Sequence, residues 1–600
     1  MLPRRAPRRT VLPIVALIVA LAVASGAIGQ QAAARVARDP ARYDVDDHVL
    51  IRTVDGATLS ATVVRPKRSA TRLPALLTLD IYTDPAAYVE RCEDAVDHGY
   101  VGVIADTRGK RLSPEPIVPY EHEAADADAV IEWIAKQPWS NGKIGMRGGS
   151  YSGFSAWAAT KHLPAALKTL AVSAAAIPGL GLPMYNNVFL NANYGWVFYV
   201  TDNKLLDEKT YDDNRRWEEL PLKWFGSGRP YRDIERIDGT PNPLLQRWLD
   251  HPAFDAYWQA MVPWKSDFAR LDIPVLTITG YYDDGQISAL EYVRQHYRYN
   301  PRAEHYVVIG PYDHFGTSRS KKAQVLRGYA IDPVAQFSTP ELVYQWMDYV
   351  LRGGRKPALL KDRVNFEVMG ANVWQHAPSL EQMAGARLPL YFSDAKQAEP
   401  ADQAGQALHY RLARARPPAG GVIEQSVDLA DRKVQTNLHY YPDPVIEKTL
   451  EQPTELALVS EPYPEGVLVS GAFTGELDVT LNKQDADLGV TVFEQLPDGR
   501  LFHLAYWLGR ASFAADREVR KLLAPGSATR IPFTTSVVSR RLAPGSRLVV
   551  LLDVNKNQYA EVNYGTGGDV SRESVADAGE PLEVRWHADS FIEVPLGTLR

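Results

Sequence analysis

One cysteine in 600 residues leaves the chain without the means to staple itself internally, so its stability has to come from packing. Cys92 falls in a stretch, Ala86 to His98, that reads as a helix. A small buried hydrophobe is its expected role, because no histidine motif accompanies it to support a nucleophile. Beyond the N-terminus no run is long and apolar enough to span a membrane. Positive charge is not in excess: the formal net charge of −6 argues against a nucleic-acid partner. Clustered zinc-ligand spacings, a dinucleotide fingerprint and internal repeats are all missing, so neither a metal nor an organic cofactor is expected.

The chain is long enough for two to four domains. Its N-terminus carries Arg4, Arg5, Arg8 and Arg9, then an apolar run from Val11 to Val23, then small residues and Gln30-Gln31. This is the n-region, h-region and small-residue order of a secretory signal over residues 1–29, with cleavage expected near Ala27-Ile28-Gly29. Periplasmic or secreted location follows, and no membrane contact in the mature form unless the signal stays uncleaved. The Arg8-Arg9 pair is a weak match to a twin-arginine signal. The 30 tyrosines and 13 tryptophans fit large cores and sandwich packing, or an aromatic-lined pocket.

Residues 48–64 alternate around Asp55-Gly56 as a β-hairpin does. Apolar runs at Leu73–Leu79 and Tyr100–Ala105 resemble strands buried on both faces, with the Cys92 helix between them. A helix over about 121–136 and a strand over Lys143–Arg147 follow. Strand–helix alternation of this kind predicts an α/β core with a parallel sheet, residues 40–175. From 176 to 268 the pattern turns aromatic and charged without clean strand signals, and reads as an inserted helical cap. The α/β pattern resumes over 269–358, with strands at Pro274–Thr279 and His305–Ile309. Its last helix has Thr339 as N-cap and Pro340 at N1, and stops at Gly353-Gly354. From 359 to 600 short β-rich runs separated by turns such as Pro497-Asp498-Gly499 predict a sandwich or jelly roll.

Gly148-x-Ser150-x-x-Gly153 lies between a predicted strand and a predicted helix, the context of a nucleophile elbow. The usual glycine two residues after the serine is replaced by Ser152. A hydrolase triad in this fold runs serine, acid, histidine, the last two on loops after later strands. Gly280-Tyr281-Tyr282-Asp283-Asp284 and Gly310-Pro311-Tyr312-Asp313-His314 supply such loops at C-terminal strand ends, where open α/β sheets place their sites. Ser150, Asp283 and His314 are therefore the candidate catalytic residues. Asp284 and Asp313 read as solvated loop acids or helix caps, and His305 as structural.

The stretch Gly145-Met146-Arg147-Gly148-Gly149-Ser150-Tyr151-Ser152-Gly153 resembles the cocaine-esterase and X-Pro dipeptidyl-peptidase superfamily, the CocE/NonD hydrolases. The segments Asp106-Thr107-Arg108-Gly109, Met369-Gly370-Ala371-Asn372, Asp485-Ala486-Asp487 and Pro497-Asp498-Gly499-Arg500, with the two acid and histidine loops, are similar to that family's signatures in order, over roughly residues 45–590. The resemblance implies an α/β-hydrolase core, an inserted helical cap and a C-terminal jelly roll. It also implies an oxyanion hole made by the backbone N–H of Tyr151 and the hydroxyl of Tyr82. The expected reaction is cleavage of an ester or amide through an acyl-enzyme, on a small-molecule ester, amide or short-peptide substrate. An X-Pro dipeptidyl peptidase is the alternative within the family. In the subgroup acting on amino-acid esters an acid stands where this chain has Ser152, so the departure argues against that activity. A non-catalytic exported binding protein is the rival from another class, and the intact Ser150, Asp283, His314 set argues against it.

Overall fold

The computed structural model describes residues 41–396, 408–418, 420–450 and 455–599, so the leader expected at residues 1–29 lies outside the described residues. Strands β1 (Tyr43–Arg52) and β2 (Thr58–Pro66) form the expected hairpin. Gly56 turns it with φ +91°, a conformation that favours glycine. Next come β3 (Leu73–Asp80), helix α1 (Pro85–Asp97), β4 (Val101–Asp106), α2 (Glu123–Ala135), β5 (Ser140–Gly149), α3 (Tyr151–Ala159) and β6 (Leu167–Ser173). The core closes with β7 (Val275–Tyr282), α7 (Gln286–Tyr299), β8 (His305–Asp313), α8 (Thr339–Arg352), β9 (Val364–Val368) and β10 (Val373–Ala377). These strands make one ten-stranded sheet in the order β1-β2-β4-β3-β5-β6-β7-β8-β9-β10. From β4 through β9 every pairing is parallel. Strands β4 and β7 are buried at every position, as strands covered by helices on both faces must be. Cys92 packs inside α1 against Val64 and Ile104, and burial pushes its thiol up to about 12, so it is an inert hydrophobe.

Three expectations are corrected. Residues 364–377 belong to the α/β sheet: Val307 to Ile309 of β8 pair in parallel with Val364 to Phe366 of β9. The strands of the separate C-terminal sheet begin at Ala386. A short apolar run does not say which sheet it will join; only the partner strand does. Second, the insertion does not open with a helix. Four two-residue strands, from Ile177 to Phe189, precede α4 (Ala192–Thr201). Helices α5 (Asn214–Ser227) and α6 (Pro243–Leu249) follow, with Asp213 capping α5 through the Arg216 N–H. Third, the cap of α8 is Ser338, whose hydroxyl accepts from the Glu341 N–H at 3.3 Å, one residue before the expected Thr339. The helix does end at Gly353, with φ +71°.

The C-terminal domain is all β, its long antiparallel strands including Val467–Leu481, Asp487–Gln495 and Ala528–Leu542. It is bolted to the rest by buried polar contacts. Arg510 lies between Asp487, at 2.8 Å, and Glu561, at 2.7 Å, and Glu561 also accepts from the Phe189 N–H of the insertion. Removing one partner of such a buried pair costs about 3–5 kcal/mol, because a charge is left uncompensated. Gln286, at the start of α7, accepts from the Val537 N–H and donates to the Val537 and Gly280 carbonyls. The β domain thereby braces the loop that carries Asp283.

Candidate active site

The site forms where β5 runs into α3. Ser150 has φ +56° and ψ −121°, a region that costs a non-glycine residue about 1–3 kcal/mol and persists only where the surroundings impose it. Here the Ser150 N–H donates to Ser173 O at 3.0 Å, and its carbonyl accepts from Phe154 and Ala176. A Cβ on Gly148 would lie 2.5 Å from the Ser152 backbone, so that position requires glycine, and one on Gly153 would press to 3.0 Å against Ala175. The displaced glycine of the motif is thus explained by what Ser152 does. Its hydroxyl donates to buried Asp80 Oδ1 at 2.8 Å. That same oxygen accepts from the Tyr82 N–H at 3.1 Å, while Oδ2 takes Arg91 at 3.0 Å. Ser152 therefore ties the elbow to the Tyr82 loop and is not among the residues lining the cavities around Ser150.

Tyr82 and Tyr151 flank Ser150 with rings edge to face, centroids 6.4 Å apart. Tyr151 opens α3, so its N–H has no partner within the helix. Its hydroxyl donates to the carboxyl of Glu123 and accepts from the Tyr120 N–H at 3.0 Å, which pins the start of the helix. Burial raises Glu123 to about 7. Withdrawal from water pushes the Tyr82 phenol up to about 12, against hydrogen bonds from Trp196 and Ser150 to its oxygen that pull it down. Tyr82 accordingly stays a neutral donor at any ordinary pH.

The histidine and the acids come from the loops after β8 and β7. His314 Nδ1 lies 3.0 Å from Asp283 Oδ1 in an aligned hydrogen bond. The Asp283 side chain is wholly buried and fixed by Thr279 Oγ1 at 2.7 Å and the Gly285 N–H at 2.9 Å. Asp284 was expected to be a solvated acid or a cap. Instead its Oδ1 sits 2.9 Å from the same His314 nitrogen, without an aligned hydrogen bond of its own. Burial lowers the His314 pKa, but the Asp284 charge, the hydrogen bond to Asp283 and the Asp283 charge more than reverse that and hold it well above the usual imidazole value. Burial likewise raises Asp284, and the His314 charge more than offsets it, leaving the carboxyl below its usual range. Asp313 closes a turn in its own loop, accepting from the Gly316 N–H at 2.7 Å. His305 is buried in packing, bonded to Thr277 at 2.9 Å. Ligand-type atoms of Asp283, Asp284 and His314 all lie within 4.8 Å of one another, a grouping that could hold a metal ion.

Ser150, His314, Tyr82 and Trp196 line one cavity, together with Asp284, Asp313, Arg327 and Tyr441. This cavity shares Leu182, Ala192, Asp284 and Tyr441 with a neighbouring chamber walled by Tyr185, Tyr194, Tyr440, Tyr506, Tyr559, Trp217, Leu220 and Ile234. Among the described residues Asp284 is the one charged side chain on that chamber's wall. On the other side of Ser150 a second opening is lined by Tyr199, Tyr211, Thr317 and Ser318. The sequence reading brought Ser150, Asp283, His314, Tyr82 and Tyr151 to this place, and the structure assembles all five. It missed Thr279, Asp80 and Trp196. Thr279 and Asp80 sit at strand ends beside the motifs, which is a signal of position only. Trp196 lies in the insertion with no motif around it.

A parallel α/β sheet bearing a strained serine between strand and helix, with histidine and acid on later loops, defines an α/β-hydrolase of the serine type. Comparison with known proteins agrees. A family model for X-Pro dipeptidyl-peptidase (S15 family) matches residues 55–316, and one for the X-Pro dipeptidyl-peptidase C-terminal non-catalytic domain matches residues 359–580. Cocaine esterase from Rhodococcus sp. (strain MB1 Bresler) is 24% identical over 563 residues, spanning 89% of this chain and 95% of the relative. An aminopeptidase from a marine sediment archaeon, Thaumarchaeota archaeon, shares the fold with a TM-score of 0.75 and 18% identity, over 95% of this chain and 100% of that one. An α-amino acid ester hydrolase does so with a TM-score of 0.71 and 20% identity, over 94% and 98%. The chain belongs to the CocE/NonD hydrolases of the S15 family, and is a serine hydrolase.

Proposed function

We propose that the protein hydrolyses carboxylic esters or amides with a bulky, largely uncharged group, through an acyl-enzyme formed on Ser150. The observation that carries this reading is the convergence of Ser150, in its imposed strained turn, and His314, backed by buried Asp283, on one cavity. In the proposed cycle His314 takes the Ser150 proton as the oxygen attacks the substrate carbonyl. Asp283 holds the imidazole with its proton on Nδ1, leaving Nε2 free, and stabilises the imidazolium. The Tyr82 hydroxyl and the Tyr151 N–H stabilise the oxyanion, a donor of this kind being worth about 3 kcal/mol. His314 then protonates the leaving group, and water repeats the steps.

The tyrosine-lined chamber supports the preference for a large apolar group. A dipeptidyl peptidase has to bind a free α-ammonium. The one carboxylate on the chamber wall, Asp284, is already engaged with the His314 charge and lies within reach of the Arg327 charge. A panel of p-nitrophenyl esters of rising acyl size, run beside Ala-Pro-p-nitroanilide, tests this. The expected result is turnover of bulky aromatic esters with the anilide the poorer substrate, and labelling by a fluorophosphonate that Ser150→Ala abolishes. Preferred cleavage of the anilide would overturn the ester reading.

Export is the second part of the proposal, supported by the basic, apolar and small-residue order of residues 1–29. N-terminal sequencing of protein from the native host is expected to find a start near Gln30. An intact Met1 in the soluble cytoplasmic fraction would overturn it.

A further inference from the structure

We propose that Trp196, on helix α4 of the inserted segment, is a positioning residue for the oxyanion hole, acting through Tyr82. The inference rests on the reading of Tyr82 as an oxyanion donor. The indole Nε1–H of Trp196 donates to the Tyr82 hydroxyl oxygen at 3.2 Å. A phenol carries one proton and two acceptor positions. With the indole occupying one acceptor position, the hydroxyl proton is steered to the directions that remain. Ser150 lines the same cavity as that hydroxyl and Trp196. The donor chain therefore runs from indole N–H to phenol O–H to the point where negative charge develops. A hydrogen bond accepted by a hydroxyl also polarises it and strengthens the one it donates, the more so in a site of low dielectric.

The placement is rigid. Trp196 is buried, its ring stacked on Tyr120 with centroids 5.6 Å apart and tilted over Tyr151 at 5.9 Å. Tyr151 in turn carries the other proposed oxyanion donor on its backbone. Trp196 borders both openings beside Ser150, so it stands at the reacting centre without needing to touch the substrate. The oxyanion hole is thereby completed by the insertion. Strand β3 supplies the Tyr82 loop, helix α3 supplies the Tyr151 N–H, and helix α4 supplies the group that orients Tyr82.

The test is a double-mutant cycle on the full-length enzyme, with kcat and KM measured on a p-nitrophenyl ester and melting temperature as the folding control. Trp196→Phe keeps a stacked ring and deletes the N–H. It is expected to lower kcat about 5- to 20-fold with KM changed less than about twofold, the size of one neutral hydrogen bond felt in the transition state. In a Tyr82→Phe background the same change should lower kcat by less than about twofold, because the hydroxyl it orients is gone. Replacing the indole with the isosteric benzothiophene amino acid removes only the N–H. It should reproduce the Trp196→Phe loss even where that variant folds poorly. If Tyr82→Phe is slow but the Trp196 losses are additive to it, or the benzothiophene enzyme is as fast as wild type, Trp196 is packing and the proposal falls while the Tyr82 reading stands. If Tyr82→Phe itself retains full activity, the reading and the proposal fall together.

Discussion

Asp283→Asn is expected to lower kcat by about 10⁴-fold with the fold intact, the scale on which a triad fails when its acid becomes an amide. The reason lies in the wiring of the carboxylate. Thr279 and the Gly285 N–H both donate to Asp283, so the native side chain is an acceptor in every direction and receives His314 Nδ1–H as well. An asparagine turns one of those acceptors into a donor. It then faces a donor already in place, or forces the imidazole into the tautomer with no free Nε2. Asp284→Asn should behave differently, although Asp284 is as close to His314. It makes no aligned hydrogen bond, so its loss removes charge rather than orientation. The Asp284 charge is the largest influence raising the His314 pKa. Without it that pKa falls, neutral imidazole is populated at lower pH, and the acid limb of kcat/KM should move to lower pH while most of the plateau rate survives. Steady-state kinetics from pH 5 to 9 on both variants checks the pair. If Asp284→Asn is the deeper loss and Asp283→Asn the mild one, the acid has been assigned to the wrong neighbour.

Tyr82→Phe is expected to lower kcat by about 10²–10³-fold and leave KM nearly unchanged. Phenylalanine retains the ring that packs edge to face on Tyr151, so the loop keeps its support. What disappears is one hydroxyl proton, used only as charge develops on the carbonyl oxygen. Were Tyr82 a packing residue alone, losing its hydroxyl should change the rate less than about fivefold, the effect of a perturbation of about 1 kcal/mol. Pre-steady-state acylation on a p-nitrophenyl ester, with melting as the control, separates the two outcomes.

Much of this site is legible in the sequence because its main residues sit where a strand ends and a motif begins. Buried parallel strands announce themselves as short apolar runs, and the residues just past their C-terminal ends fall at one edge of the sheet. Ser150, Asp283 and His314 were found by that logic, and Tyr82 and Tyr151 by resemblance to a family. The choice among Asp283, Asp284 and Asp313 rested on preference, since adjacent acids on a loop differ only in where their side chains point. The structure separates them through partners: two hydrogen-bond donors behind Asp283, an unaligned approach for Asp284, and a bond within its own turn for Asp313.

The chain's own pattern determined the layered α/β core, the place of the insertion, the β-rich C-terminal region and the elbow, because each depends on local periodicity and on turn chemistry between neighbours in sequence. Tertiary structure decided what depends on residues far apart. Residues 364–368 extend the core sheet because β8 offers them a free edge. Ser152 replaces the usual glycine because Asp80, 72 positions earlier, accepts its hydroxyl. Trp196 meets Tyr82 across 114 positions of chain. No local pattern encodes such meetings, since they exist only once hydrophobic packing has fixed which surfaces touch.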